Sequence, residues 1–377
     1  MLWVLLGALG IHIAESLHLD SFEKGVMVAV PILSGSLLRL PLGVLGDRIG
    51  GKRVGMAMLL FLFVPLTIGW QAGNSLSAMM GIGLLLGTAG ASFAVALPLA
   101  SRWYPPERQG LVMGIAAAGN SGTVIANLAA PRLASLMGWH NVLAVAMIPL
   151  FIVLIAFIMM AKDRPSPGQH KPVRAYLETL KPRDIWWLSF VYCVTFGGYV
   201  GLGSFLPIFL RDQYGVSATK AGYLTALVAF SGSSIRPIGG LLADKFGGTA
   251  LLSLVLIGVG AMYVLVAQLP SLPLMVGLLV VTVSLLGLGN GAVFQLVPLR
   301  FPRDVGVATG LVGAIGGLGG FLLPICLGSI KGTSGSFGNG FLVLGFVTLG
   351  ALTLVRILIS LQVGWRTSWR GSREPAA

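Results

Sequence analysis

The chain has 377 residues, of which 55% are hydrophobic and 10% charged, whereas a soluble domain carries roughly a quarter of its residues as Asp, Glu, Lys or Arg. An ordinary soluble core is excluded. The formal charge of +13 would point to nucleic acid only on a soluble fold with a basic face, and here the cations fall in short loops, so no nucleic-acid partner is expected.

Apolar runs between polar breaks predict an all-α polytopic membrane protein, because about 20 apolar residues rising 1.5 Å each cross a hydrocarbon layer about 30 Å thick. Twelve transmembrane helices are expected. The first six cover 1–17, 26–46, 54–71, 76–101, 111–133 and 141–161, and the second six cover 185–210, 221–243, 249–268, 272–299, 306–330 and 338–362. The first run starts at Met1 with no basic residues before it, unlike a cleavable signal peptide. It would span only about 26 Å, so a start site placed too far downstream or a shortened chain is one expectation.

Orientation follows from Lys and Arg, which accumulate in short cytoplasmic loops. One set of alternate loops holds Arg48, Lys52, Arg53, Arg102, Arg108, the basic residues between Lys162 and Arg183, Lys245, Arg300, Arg303, Arg366, Arg370 and Arg373. The opposite set holds only Lys24, Arg132, Arg211, Lys220 and Lys331. Both termini and the middle loop are therefore expected on the cytoplasmic side of the inner membrane.

The Pro-rich polar stretch 162–184 separates an N-terminal bundle, 1–161, from a C-terminal bundle with its tail, 185–377. An internal repeat supports the division. S-G-S-L-L-R at 34–39 recurs as S-G-S-S-I-R at 231–236, and G-V-L-G-D-R-I-G-G at 43–51 recurs as G-L-L-A-D-K-F-G-G at 240–248, both at one offset. Two pseudo-symmetric six-helix bundles around a midplane site is an alternating-access architecture.

The G-x-x-x-D-R-x-G-G-K-R run at 43–53 resembles the cytoplasmic signature of the major facilitator superfamily. Asp47, at a helix end, is expected to pair with Arg48, Arg53 or a neighbouring helix N-terminus and to hold the cytoplasmic side closed, with Asp244 and Lys245 repeating the arrangement. Arg39 and Arg236 lie deep inside apolar runs, where a charge costs at least about 3 kcal/mol on insertion scales and usually faces a cavity. No Asp or Glu stands near mid-depth to neutralise them; Glu15 is close to the outer end of the first helix. Two guanidiniums about 8 Å apart would repel by about 2 kcal/mol at an effective dielectric of 20, so an anion between them would complete the site. A planar oxyanion matches the in-plane donor fork of each.

Glycine makes up 54 of the residues, about twice the usual frequency of roughly 7%. It is concentrated at Gly114, Gly119 and Gly122 in the fifth helix and at Gly313, Gly316, Gly317, Gly319 and Gly320 in the eleventh, where small residues let helices approach and slide. An arginine in the second helix, its repeat in the eighth, and these glycine-rich runs resemble the nitrate/nitrite porter family of the major facilitator superfamily. The resemblance covers essentially the whole chain. It implies that Arg39 and Arg236 clamp the anion, that Phe93, Tyr192 and Phe196 sandwich it, and that Asn120 lends an amide, with Asn290, Phe294 and Gln295 as weaker candidates. Tyr192 and Phe196 are four residues apart and share a helix face.

The expected function is secondary transport of nitrate or nitrite, with nitrate/nitrite exchange favoured because only His12 and Glu15 come near the pathway as titratable groups. Proton-coupled nitrate symport and carriage of another small or organic anion stand as alternatives, and an anion-binding membrane sensor as a different class. No enzymatic site is expected: the four histidines are scattered and no phosphate-cradling loop is present. Cys193 and Cys326 lie in apolar runs, so no disulfide, metal site or cofactor is expected. The expected partners are the anion and the lipid bilayer, with the chain a monomer.

Overall fold

The computed structural model describes residues 1–101, 103, 118–163, 178, 180–301 and 305–367. Among the described residues there is helix and turn and no strand, the solution that satisfies backbone hydrogen bonds inside hydrocarbon. We label the helices α1 (Gly10–Leu17), α2 (Ser21–Ile49), α3 (Gly51–Ala72), α4 (Leu76–Ala100), α5 (Gly122–Met137) and α6 (Trp139–Met160). They continue as α7 (Arg183–Tyr214), α8 (Ala218–Phe246), α9 (Gly248–Ala267), α10 (Leu272–Arg300), α11 (Val305–Ser334) and α12 (Phe337–Leu361).

Ten of these, all but α1 and α5, are long and apolar enough to cross a membrane among the described residues. The sequence predicts twelve full spans. The first is broken into the 3-10 turn Leu2–Val4, the short helix Leu5–Ala8 and α1, and the fifth is described only from Ala118. Large apolar side chains stand exposed along α6, among them Ile148, Phe151, Ile152 and Met159. A patch of that kind would be an aggregation hazard in water; together with ten helices long and apolar enough to cross a membrane, it fits a multi-pass membrane protein, which the chain is.

Local chemistry sets the ends and bends. At the start of α2 the Asp20 side chain accepts from the Glu23 amide at 2.8 Å while the Glu23 side chain accepts from the Asp20 amide at 2.9 Å, a capping box that pulls the polar first turn into the helix. Within α2 the regular pattern lapses at Leu38, between Ser21–Leu37 and Arg39–Ile49. Pro41 explains this, because it has no amide hydrogen and its ring crowds the carbonyl four residues earlier. Gly50, at φ +100°, makes the turn into α3, where Asp163 accepts from the Lys52 amide at 2.9 Å. Asp163 therefore satisfies one amide of the α3 N-terminus.

By its contacts the chain forms two compact units that interleave along the sequence: Met1–Glu178 with Gly203–Ala226, and Thr179–Leu202 with Leu227–Ala377. In the first unit α2 packs on α4, and a cluster of Val54, Met58, Ala91 and Val95 with Leu38 and Leu42 surrounds the bend of α2. The end of α7 is tied in by charge. Arg211 Nη2 lies 2.9 Å from Glu15 and Lys24 Nζ 2.8 Å from Asp212.

In the second unit α9 packs on α10 and α12, with the Tyr263 and Phe341 rings stacked 6.3 Å apart. The short helix Val363–Thr367 then folds back and buries Trp365 completely. Its indole donates to Asp184 at 3.3 Å, its carbonyl accepts from Thr249 at 3.3 Å, and Arg300 Cζ sits 5.0 Å from the ring.

Candidate anion-binding site

Arg39 begins the second part of α2, just after the bend, and is 7% exposed. It faces a 3-10 stretch of α4, Gly87–Ser92, and its Nε donates to the Gly90 carbonyl at 3.4 Å. That stretch comes close because α2 and α4 meet at glycines: a Cβ on Gly35 would lie 2.7 Å from the Gly87 carbonyl oxygen and 3.2 Å from Gly90 Cα. Phe93, half-buried, follows Gly90 by one turn. Ser34 and Ser36 of the repeat donate back to their own helix. Ser36 Oγ donates to the Ile32 carbonyl at 2.7 Å, the back-bonding habitual for serine inside a helix.

Arg236 occupies the matching position in α8 within the second unit. Its guanidinium is covered by aromatic faces, with Cζ 4.2 Å from the Tyr199 ring centroid and 5.5 Å from that of Phe196. Phe196 stacks on Tyr192 at 4.9 Å with an interplanar angle of 1°, and Tyr192 meets Phe294 at 5.0 Å. Arg236 Nε and Nη2 are both buried without a hydrogen-bond partner among the described residues. These two N–H groups form the side-on fork by which arginine binds carboxylates and other planar oxyanions in bidentate fashion. Leaving such donors unmet in a low-dielectric interior is costly, so the arrangement is complete only with an acceptor on that edge.

The sequence-predicted residues separate on this frame. Tyr192, Phe196, Phe294 and Arg236 are drawn into one cluster. Asn290 is 1% exposed with both amide atoms unpartnered among the described residues; it lies on α10 beside Gly291, where a Cβ would sit 2.6 Å from the Arg236 carbonyl oxygen. Gln295 Oε1 lies beside Gly248 at the start of α9, buried and without a hydrogen-bond partner among the described residues. Asn120 lies in the 3-10 turn Ala118–Ser121, its side chain outside the described residues, as is Gly114 altogether.

The remaining predicted positions lie further out. Asp47 is half-buried, Arg48, Arg53, Asp244 and Lys245 are exposed, and Lys52 rather than Arg48 or Arg53 reaches across to the Ile158 carbonyl, at 2.8 Å. Among the glycines, Gly316 abuts the Tyr192 ring and Gly319 the Cys193 carbonyl, and a Cβ on Gly197 would lie 2.7 Å from Gly319 Cα. Gly313, Gly317 and Gly320 are buried in α11 or nearly so. Gly122 lies against Met1, and Gly119 stands in open space.

A family model described as Major Facilitator Superfamily matches residues 1–324. The nitrite extrusion protein of Bacillus subtilis (strain 168) is 34% identical over 358 residues, covering 94% of this chain and 90% of that protein. A probable nitrate/nitrite antiporter of Thermus thermophilus, NarK1, is 33% identical over 357 residues, covering 85% of this chain and 80% of its own length. The chain belongs to the nitrate/nitrite porter family of the major facilitator superfamily. A further relative of the porter, the probable nitrate/nitrite transporter NarK2 of Mycobacterium tuberculosis (strain ATCC 25618 / H37Rv), is 33% identical over 334 residues, covering 87% of this chain and 84% of its own. Being a major facilitator carrier with these relatives, the porter is not an enzyme.

Two residues of the porter escaped sequence reasoning, Tyr199 under Arg236 and Asp163 at the start of α3. Tyr199 carried a readable signal, being seven residues after Tyr192 and so on nearly the same helix face. Asp163 carried none, since only tertiary contact brings it to Gly50.

Proposed function

We propose that the porter moves nitrate and nitrite across the inner membrane by alternating access, exchanging one for the other. The observation that carries this is the buried Nε and Nη2 edge of Arg236, without a hydrogen-bond partner among the described residues and with aromatic rings over its faces: a planar monovalent oxyanion fits two parallel N–H donors and an apolar surround. Arg39, its repeat counterpart, is the anion ligand contributed by the first unit. Phe93, Asn120, Tyr192, Phe196, Phe294 and Asn290 line the path, and the Asp47 and Asp244 motifs with Arg48, Arg53 and Lys245 govern cytoplasmic closure. The relatives named for nitrate or nitrite transport support the same cargo.

The architecture that goes with this reading has twelve transmembrane helices, counting the first and fifth. They form two six-helix bundles, 1–161 and 185–377, joined by the linker 162–184, with both termini cytoplasmic and the protein a monomer. Exchange is favoured over proton symport because both candidate titratable groups are engaged: His12 Nε2 donates to the Pro131 carbonyl at 3.2 Å and Glu15 pairs with Arg211 at 2.9 Å. Competition binding to purified protein tests the cargo. Nitrate and nitrite should displace each other with dissociation constants well below those of chloride and phosphate; equal affinity for phosphate would overturn the reading.

A further inference from the structure

Arg236 poses a physical difficulty that the anion alone does not solve. Before the anion arrives, a guanidinium in an apolar interior with unmet donors should swing toward any backbone carbonyl or water within reach. Something must hold the cation without consuming its N–H groups. An aromatic face does this, since the ring quadrupole attracts the charge while the donors stay in the plane of the guanidinium.

We propose that Tyr199 is a positioning residue for Arg236, holding the guanidinium by its ring face so that the Nε and Nη2 edge stays open to the anion. Of the rings near Arg236, that of Tyr199 is the nearer, at 4.2 Å against 5.5 Å for Phe196. Tyr199 is itself fixed. It is 5% exposed, and its hydroxyl lies 2.5 Å from Ser233 Oγ. Both hydroxyls also reach the Ala229 carbonyl, Ser233 Oγ at 2.8 Å and the Tyr199 hydroxyl at 3.5 Å. Ser233 stands three residues before Arg236 and shares its face of α8, so one tyrosine is tied to the helix at one turn and lies under the cation at the next.

Gly232 makes the room for this: a Cβ there would sit 2.8 Å from Tyr199 Cε2. The first unit also holds an aromatic beside its own S-G-S stretch, Trp3. Its ring lies against Gly90, whose carbonyl takes Arg39 Nε, and 3.4 Å from a Cβ on Gly35, the counterpart of Gly232. Each S-G-S stretch thus has an aromatic packed on its glycine.

The inference rests on Arg236 being an anion ligand, so the experiment separates the two ideas. Purified variants in proteoliposomes are assayed for nitrate KM and maximal rate, with thermal unfolding followed in parallel. Tyr199→Phe keeps the ring and should hold KM within about twofold, whereas Tyr199→Leu should raise KM about tenfold with a smaller change in maximal rate. Tyr199→Met, a flexible apolar chain that adapts to irregular gaps, should behave as Leu does and serves if the Leu variant does not fold. A merely structural tyrosine would lower the melting temperature in all three and leave KM alone, and that result would overturn the proposal. If Arg236→Lys transports nitrate with the parent KM, it is the anion-ligand reading that fails; if Arg236→Lys is defective while Tyr199→Met keeps the parent KM, only the positioning role is lost.

Discussion

Replacing Arg236 by lysine probes the chemistry of the site, because it keeps the charge and removes the fork. In the parent, Nε and Nη2 are buried and have no hydrogen-bond partner among the described residues, and an oxyanion on that edge would accept two charge-assisted hydrogen bonds. Each hydrogen bond to a charged group contributes about 1.5–3 kcal/mol. Lysine can supply one from its tip, so the net loss is one such bond, and nitrate KM should rise by about 10- to 150-fold. The lysine also loses the flat contact with the Tyr199 and Phe196 rings, which adds to the effect. The assay is nitrate uptake into proteoliposomes across a range of concentrations, with the melting temperature of the purified variant as a check on folding. A well-folded Arg236→Lys protein with a KM within about threefold of the parent would show that a point charge suffices and would refute the bidentate argument.

Three further outcomes follow from packing and exposure. Trp365→Ala removes a fully buried indole that seats on Asp184 and Arg300 and should lower stability by about 3–5 kcal/mol in detergent unfolding; a change under about 1 kcal/mol would mean the terminal helix is not seated in solution. Gly319→Ala puts a methyl against the Cys193 carbonyl, while Gly240→Ala enters open space. The first should cost about 1–3 kcal/mol and slow transport, the second should be silent in both assays, and equal effects would contradict the packing described. Glu15→Gln breaks an ion pair whose side chains are 40% and 54% exposed. It should change stability by less than about 1 kcal/mol, less still in high salt, and leave nitrate/nitrite exchange insensitive to an imposed proton gradient; a parent whose uptake is driven by that gradient and a variant that loses the drive would instead make Glu15 a coupling group.

Where the sequence predicts helices from apolar content alone, the agreement is closest in the second half. There 221–243, 249–268 and 338–362 become Ala218–Phe246, Gly248–Ala267 and Phe337–Leu361, because Gly215, Gly247 and Gly335 adopt positive φ and stop the chain between them. Errors appear where a polar residue belongs to the helix for a reason outside it. α7 runs four residues beyond the predicted 210, because Arg211 and Asp212 look like loop residues until Glu15 and Lys24 partner them. α2 starts earlier than 26 because the Asp20 and Glu23 capping box recruits a polar turn. The 3-10 stretch Gly87–Ser92 was hidden inside an apolar run; its cause is the close approach of Gly35, a contact between helices that no single-helix pattern encodes. Arg39 and Arg236 stood out as charges in apolar runs, but the rings around Arg236 could be told from ordinary core aromatics only by the 4.2 Å and 5.5 Å contacts themselves.

Counterflow in vesicles tests the central claim most directly. Purified protein is reconstituted, the vesicles are loaded with nitrite, nitrate, chloride or phosphate, and entry of isotopically labelled nitrate is followed without any imposed proton gradient. Nitrite- and nitrate-loaded vesicles should accumulate the label rapidly and transiently, while chloride- and phosphate-loaded vesicles should not. Equal accumulation against phosphate, or none against nitrite, would contradict a site built for a planar monovalent oxyanion on the Arg236 edge.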